Sequence, residues 1–238
     1  MRRIIIFITV LLLSVTQLFG ASVECPSQIV VATDQGTIGT LDPVSLVFTP
    51  KMTDENGAFD YAGGSDCLVY GYGVDGGIYQ YNLTAENSTV IGNTGVPFNF
   101  GGGVSWGPND LLYAIITQNN TPALYTVDPK TAKIVNQTVI HDFKVHSGDL
   151  SWVPSKEAFY VTNGLTGNVY TVTLDGTAKH LSSSDVLWIY AMAYFNGTLY
   201  AYDRYNYQYT IDIDTGVIDT ANKKRIKDVV GSIVAGAD

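Results

Sequence analysis

Beyond residue 22, apolar and polar positions alternate over runs of about five to seven residues, and each run ends in a turn cluster. No segment keeps apolar residues at helical spacing for three turns, so the pattern predicts strands and no substantial helix. Four segments share an apolar–Tyr core: CLVYGYG, LLYAII, AFYVTN and TLYAYD. Their Tyr70, Tyr113, Tyr160 and Tyr200 lie 43, 47 and 40 residues apart. A second set follows: IYQYN, LYTVD, VYTVT and QYTID, with Tyr79, Tyr125, Tyr170 and Tyr209 spaced 46, 45 and 39. The turn clusters VDGG, QNNTP, NGLTG and DRYNY separate the two sets. A less regular strand precedes each pair (FDYAGG, GGVSW, GDLSW, YAMAYF). After the second set come turns such as Asp128 to Thr131 or Asp214 to Gly216, then a further short apolar strand. Four strands, a to d, repeating at about 43 residues predict one propeller blade per repeat.

The chain ends fit the same pattern. QIVVATD, TIGTLD and SLVFTP match strands b, c and d, with no a before them, while VVGSIVAG near the C-terminus is an orphan strand with the small residues of an a strand. Joining them makes a fifth blade and removes the open edges that a linear array would leave. The expected fold is therefore all-β: a five-bladed β-propeller over residues 23–238, its first blade completed by the C-terminal strand.

Tyr160-Val161-Thr162-Asn163, followed by GLTGNVYTVTLDG, resembles the YVTN repeat of secreted and surface-layer β-propellers. The other blades keep the strand-and-turn spacing but not those letters. The resemblance implies a surface or interaction scaffold, and fold alone does not settle function.

Residues 1–22 read as a secretory signal, with Arg2 and Arg3 before an apolar run from Ile4 to Val15 and small residues Gly20, Ala21 and Ser22 at the cleavage region. No later stretch is long and apolar enough to span a bilayer, so no membrane span is expected after cleavage. Glycine (24) and tyrosine (16) are abundant and methionine scarce (3), as suits a turn-rich, strand-rich chain. The net charge of −9 becomes −11 once Arg2 and Arg3 are removed, the wrong sign for nucleic-acid binding. An even pair of cysteines, Cys25 and Cys67, suits an oxidising compartment. A bridge between them closes a loop of about 41 residues, worth roughly 4 kcal/mol in the chain-entropy model. Five N-x-S/T sequons, at Asn82, Asn87, Asn119, Asn136 and Asn196, fit the same secreted, extracellular or cell-surface destination.

Ligands of propellers usually meet the face formed by the d–a and b–c loops. Asp203, Arg204, Tyr205 and Tyr207 form one candidate cluster there, since aromatic rings beside polar groups suit sugar recognition. Trp188, His141, His146 and Asn163 fall in neighbouring loops of the same face. The two histidines with Asp142 do not match a metal-ligand spacing, and no cofactor fingerprint appears, so no metal and no cofactor are expected. Asp60, Asp149, Asp34 and Asp203 are the carboxylates a hydrolytic alternative would need in pairs. Yet no catalytic motif links them, and no catalytic residue is assigned. The expectation is a non-enzymatic binding or adhesion module for an extracellular protein or a glycan. A propeller-type glycoside hydrolase or lyase and a structural surface-coat protein are the alternatives. The basic stretch Lys223-Lys224-Arg225 with Lys227 reads as a solvated linker to the last strand.

Overall fold

The computed structural model describes residues 28–98, 101–143, 146–227 and 229–237; residues 1–27, and with them the signal segment and Cys25, lie outside the described residues. The first strands are β1 (Ile29–Thr33), β2 (Thr37–Asp42) and β3 (Val47–Thr53). Blade two holds β4 (Ala58–Gly63), β5 (Val69–Gly73), β6 (Gly77–Asn82) and β7 (Asn87–Asn93). Blade three holds β8 (Gly101–Gly107), β9 (Leu111–Gln118), β10 (Thr121–Asp128) and β11 (Lys133–Val139). Blade four holds β12 (Leu150–Val153), β13 (Ala158–Thr162), β14 (Asn168–Val172) and β15 (Ala178–Ser183). Blade five holds β16 (Ile189–Phe195), β17 (Thr198–Asp203), β18 (Tyr207–Ile211) and the two-residue β19 (Lys224–Arg225). The last strand, β20 (Ile233–Ala237), joins the first three in the order β20-β1-β2-β3, which makes five four-stranded antiparallel sheets and closes the ring as expected.

Burial follows position within each sheet. The b strands β1, β5 and β13 are buried at every residue, whereas the outer strands β3, β7 and β11 are mostly exposed. Inner strands are covered on both faces by neighbouring blades, so they carry continuous apolar runs. Outer strands meet water and carry Thr, Asn and Lys. Five apolar clusters fill the five seams between blades. The repeated tyrosines pack in these seams and send their hydroxyls to polar edges. Tyr70 donates to Asp66 Oδ2 at 2.7 Å and Tyr72 to the Val96 carbonyl at 2.8 Å. Trp106 stacks on Tyr70 with centroids 5.2 Å apart, and Trp152 packs on Phe159 at 4.8 Å.

Closure is tied by side chains as well as by the β1–β20 ladder. Asp34 Oδ1 accepts the Ser232 amide at 2.9 Å. Asn206 donates to the Gly231 carbonyl and accepts the Ile233 amide, each at 2.9 Å. Gly231 has φ +88°, and a Cβ there would stand 2.2 Å from Asp34 Oδ1, so only glycine fits this tie.

Blade five departs from the sequence reading. The apolar segment after Gly216 forms only an isolated bridge, Ile211 with Ile218. The outer strand comes later, where Lys224 pairs with Gln208 and Arg225 with Tyr207. The stretch read as a linker is thus a sheet edge. Its charge has a physical use, because lysine on an exposed edge opposes pairing with other chains.

Candidate functional site

Each d–a loop is hydrogen-bonded to a b–c loop, which places both loop families on one face. Asp54 N donates to Gly36 O at 2.7 Å, Phe98 N to Val74 O at 3.0 Å, and Ile140 N to Pro122 O at 2.9 Å. At the fourth such tie, Trp188 N donates to Gly164 O at 2.7 Å while Arg204 N donates to Trp188 O at 3.0 Å. Trp188 is thereby held with φ +62°, the left-handed region that bulky residues avoid. Such strain persists only where surrounding bonds enforce it, and it clusters at functional sites.

The 203–207 loop is equally fixed. Asp203 accepts the amides of Tyr205 at 2.8 Å and Tyr207 at 2.9 Å, and the Tyr209 hydroxyl at 2.9 Å. Tyr205 projects outward, 59% exposed. The Arg204 guanidinium lies 5.6 Å from the ring centroids of both Trp188 and Tyr205, within cation–π range. Lys223 Nζ lies 4.7 Å from the Tyr207 ring. Between these loops runs a groove of about 740 Å³, walled by Trp188, Tyr205, Tyr207, Leu187, Val217 and Lys223, with Ser183, Ser184, Asp185 and Thr220 supplying polar groups.

Of the residues singled out from sequence, Trp188, Asp203, Arg204, Tyr205 and Tyr207 come together here. His141, His146 and Asn163 do not. His141 lines a separate recess with Phe143 and Tyr170. His146 Nδ1 lies 2.8 Å from Ser147 Oγ. Asn163 is buried, and its side-chain oxygen accepts the amides of Leu165 at 3.0 Å and Thr166 at 3.3 Å, shaping its own turn. Asn82, Asn87 and Asn196 flank c–d and a–b turns, Asn136 lies in β11, and Asn119 lies in a b–c turn. Cys67 precedes β5, and no free thiol occurs among the described residues. Sequence reasoning missed Lys223 and Val217, which reach the groove from the segment between β18 and β19, while Leu187 comes from the d–a loop that also carries Trp188.

A second recess, of about 500 Å³, opens between the inner strands and is lined by Phe59, Tyr61, Tyr190, Asp34, Asp54 and Asp60 among others. Asp54 accepts the amides of Asn56 and Ala58 and the hydroxyls of Tyr61 and Tyr81, all within 2.8 Å; burial first, and then the bond to Asp54, raises both tyrosine pKa values. Beneath the recess, Asp60 and Asp149 are buried, and their carboxylates converge at Gly103, where an added Cβ would meet an oxygen of each. Each of the four oxygens also accepts a backbone amide. Asp60 receives Tyr61 at 2.8 Å and Val104 at 2.6 Å; Asp149 receives Leu150 at 2.7 Å and, at 2.5 Å, Met192. Burial is the leading cause that pushes both carboxyls up, and for Asp149 the neighbouring Asp60 adds to it, so the pair retains a proton near neutrality. The bonds join blade two to blade three and blade four to blade five around the axis.

No known protein-family profile matches the sequence, and no curated protein matches it. Solved structures do share the fold. A chain of a nidogen/laminin complex aligns with a TM-score of 0.56 at 11% identity, over 88% of this chain and 97% of that one. A protein of unknown function from Bacteroides thetaiotaomicron aligns at 0.59 and 16% identity, over 89% of this chain and 62% of that one. A catalytically inactive virginiamycin B lyase from Staphylococcus aureus with quinupristin aligns at 0.52 and 13%, over 84% and 70%. This chain is a five-bladed β-propeller. At such identities the likeness carries the fold alone. Among the described residues, no helix is long and apolar enough to cross a membrane.

Proposed function

We propose that this chain is an exported, glycosylated propeller that acts as a binding or adhesion module, holding an extracellular glycan or protein in the groove between blades four and five. The observation that carries the reading is the fixed stack of Trp188, Arg204 and Tyr205 beside that groove. Aromatic faces and a fork of donors, already held by backbone bonds, bind without first losing much conformational freedom. In this reading Cys25 and Cys67 are bridged, and the sequons on the turns opposite the loop face carry glycans. The hydrolase alternative would draw on Asp60 and Asp149. Support for a binding role comes from their oxygens, each of which already accepts a main-chain amide.

The test is expression with the native leader, followed by glycan and protein array screening of the secreted product beside Trp188→Ala and Tyr205→Ala. Loss of the captured ligand in both variants, with unchanged thermal stability, is the expected result. Capture at wild-type strength by both variants overturns the assignment of the groove.

A further inference from the structure

The cations of this acidic chain are unevenly placed. Of thirteen Lys and Arg residues, five (Arg204, Lys223, Lys224, Arg225 and Lys227) fall between 204 and 227. All five are exposed. None is paired with a carboxylate among the described residues, where the sole ion pair joins Lys156 to Asp214. Among the described residues, the acids nearest in sequence are occupied elsewhere. Asp203 Oδ1 accepts two amides of its loop, and its Oδ2 accepts the Tyr209 hydroxyl. Asp212 and Asp219 cap their own turns through Asp214 N, Thr215 N, Ala221 N and Asn222 N. Asp185 is the one exposed carboxylate on the groove wall.

Register places this charge beside the rings. Arg225 pairs with Tyr207 across the β18–β19 ladder, and Lys223 covers the Tyr207 ring. Arg204 stands between Trp188 and Tyr205. Lys224 and Arg225 form the outer edge of blade five, and Lys227 bridges Val47 of β3. Guanidinium groups match carboxylate and sulfate oxygens two at a time, ring faces accept the apolar face of a sugar, and Ser183, Ser184 and Thr220 offer hydroxyl-bonding partners.

We infer that the ligand of this groove is an acidic polysaccharide, a chain of carboxylated or sulfated sugars, with Arg204 as the anchor of one acidic group and Lys223 to Lys227 following the chain along the edge. This inference rests on the groove being the binding site and adds its ligand class.

The test uses the secreted full chain and titrates it with oligogalacturonate, with the same oligosaccharide neutralised by methyl esterification, and with a heparin-derived hexasaccharide. Isothermal titration calorimetry reads binding, so that every variant, Trp188→Ala included, is measured on one scale. The acidic oligosaccharides should bind, weaken as salt rises, and lose at least tenfold in affinity on Arg204→Ala. Lys223→Ala should lose severalfold, and Lys179→Ala, in the outer strand of blade four, should lose nothing. Equal, salt-independent binding of the methyl ester, still abolished by Trp188→Ala, overturns the acidic class and leaves the groove assignment standing. Capture of an acidic protein with no affinity for any of the three saccharides overturns the polysaccharide class in the same way. Equal losses from Arg204→Ala and Lys179→Ala mark nonspecific charge attraction and overturn the inference. Binding insensitive to both Trp188→Ala and Arg204→Ala overturns the groove assignment as well.

Discussion

Replacing Asp149 by asparagine tests the buried carboxyl pair at the axis. Asp60 is raised from its ordinary 3.8 to about 7, and Asp149 lies well above its ordinary range, with desolvation first among the causes of each. The other groups that bear on the pair are backbone amides and the facing carboxyl, with no cation among them. The folded protein therefore keeps a proton that the unfolded chain releases. Stability from this source is complete below about pH 4 and is lost as the pH rises through about 7. Counting the Asp60 proton alone over about three pH units, at about 1.36 kcal/mol each, the loss is on the order of 4 kcal/mol, and the raised Asp149 adds to it. In Asp149→Asn, one amide hydrogen can meet Asp60, so Asp60 can stay ionised without a like charge beside it. The side-chain oxygen can accept the amide of Leu150 or of Met192 but not both, and the orphaned amide costs about 1–3 kcal/mol. Urea unfolding at pH 5, 6, 7 and 8 should show the variant weaker than the wild type at pH 5, then matching or exceeding it at pH 8. The three histidines are exposed and common to both proteins, so the difference between the curves isolates the pair. Two curves separated by a constant offset across this range would refute the retained proton.

Two further perturbations probe the ring. Deleting residues 229–238 removes β20, strips the ladder from β1, takes away fully buried Ile233, and leaves the Asp34 and Asn206 ties empty. The Ile233 side chain alone is worth about 2–5 kcal/mol, and the bared edge invites association, so a lower melting temperature with increased light scattering is expected; an unchanged melt would mean the ring does not depend on its closing strand. Gly103 and Gly197 both have positive φ, +96° and +81°. An added Cβ at Gly103 would stand 2.1 Å from Asp149 Oδ1 and 2.7 Å from Asp60 Oδ2, while at Gly197 it would meet nothing within 4 Å. Gly197→Ala should therefore cost only the backbone penalty of about 1–2 kcal/mol. Gly103→Ala should cost several kcal/mol more in urea unfolding, and equal costs would deny the crowding at the axis.

The blades were legible in the chain because their signal is local: alternation of period two, turn clusters, and a repeat of about 43 residues. The closing strand was legible too, since β1 to β3 lack an inner partner and the tail offers one. The same locality exposed Asp203 to Tyr207 and Trp188 as candidates. It failed for β19, where two charged residues carry no alternation and pair only because Tyr207 and Gln208 lie opposite. Lys223 reached the groove by that route, and with it the concentration of unpaired charge. Asp60 and Asp149 stand in different blades, and neighbouring sequence says nothing of their contact. Their proximity arises because the inner strands converge on one axis, and burial then changes what two ordinary carboxyls do. Asn163 shows the converse: a polar loop residue in sequence whose oxygen the folded turn consumes. Local order was written along the chain, whereas side-chain partnership across blades depended on how five sheets close around a centre.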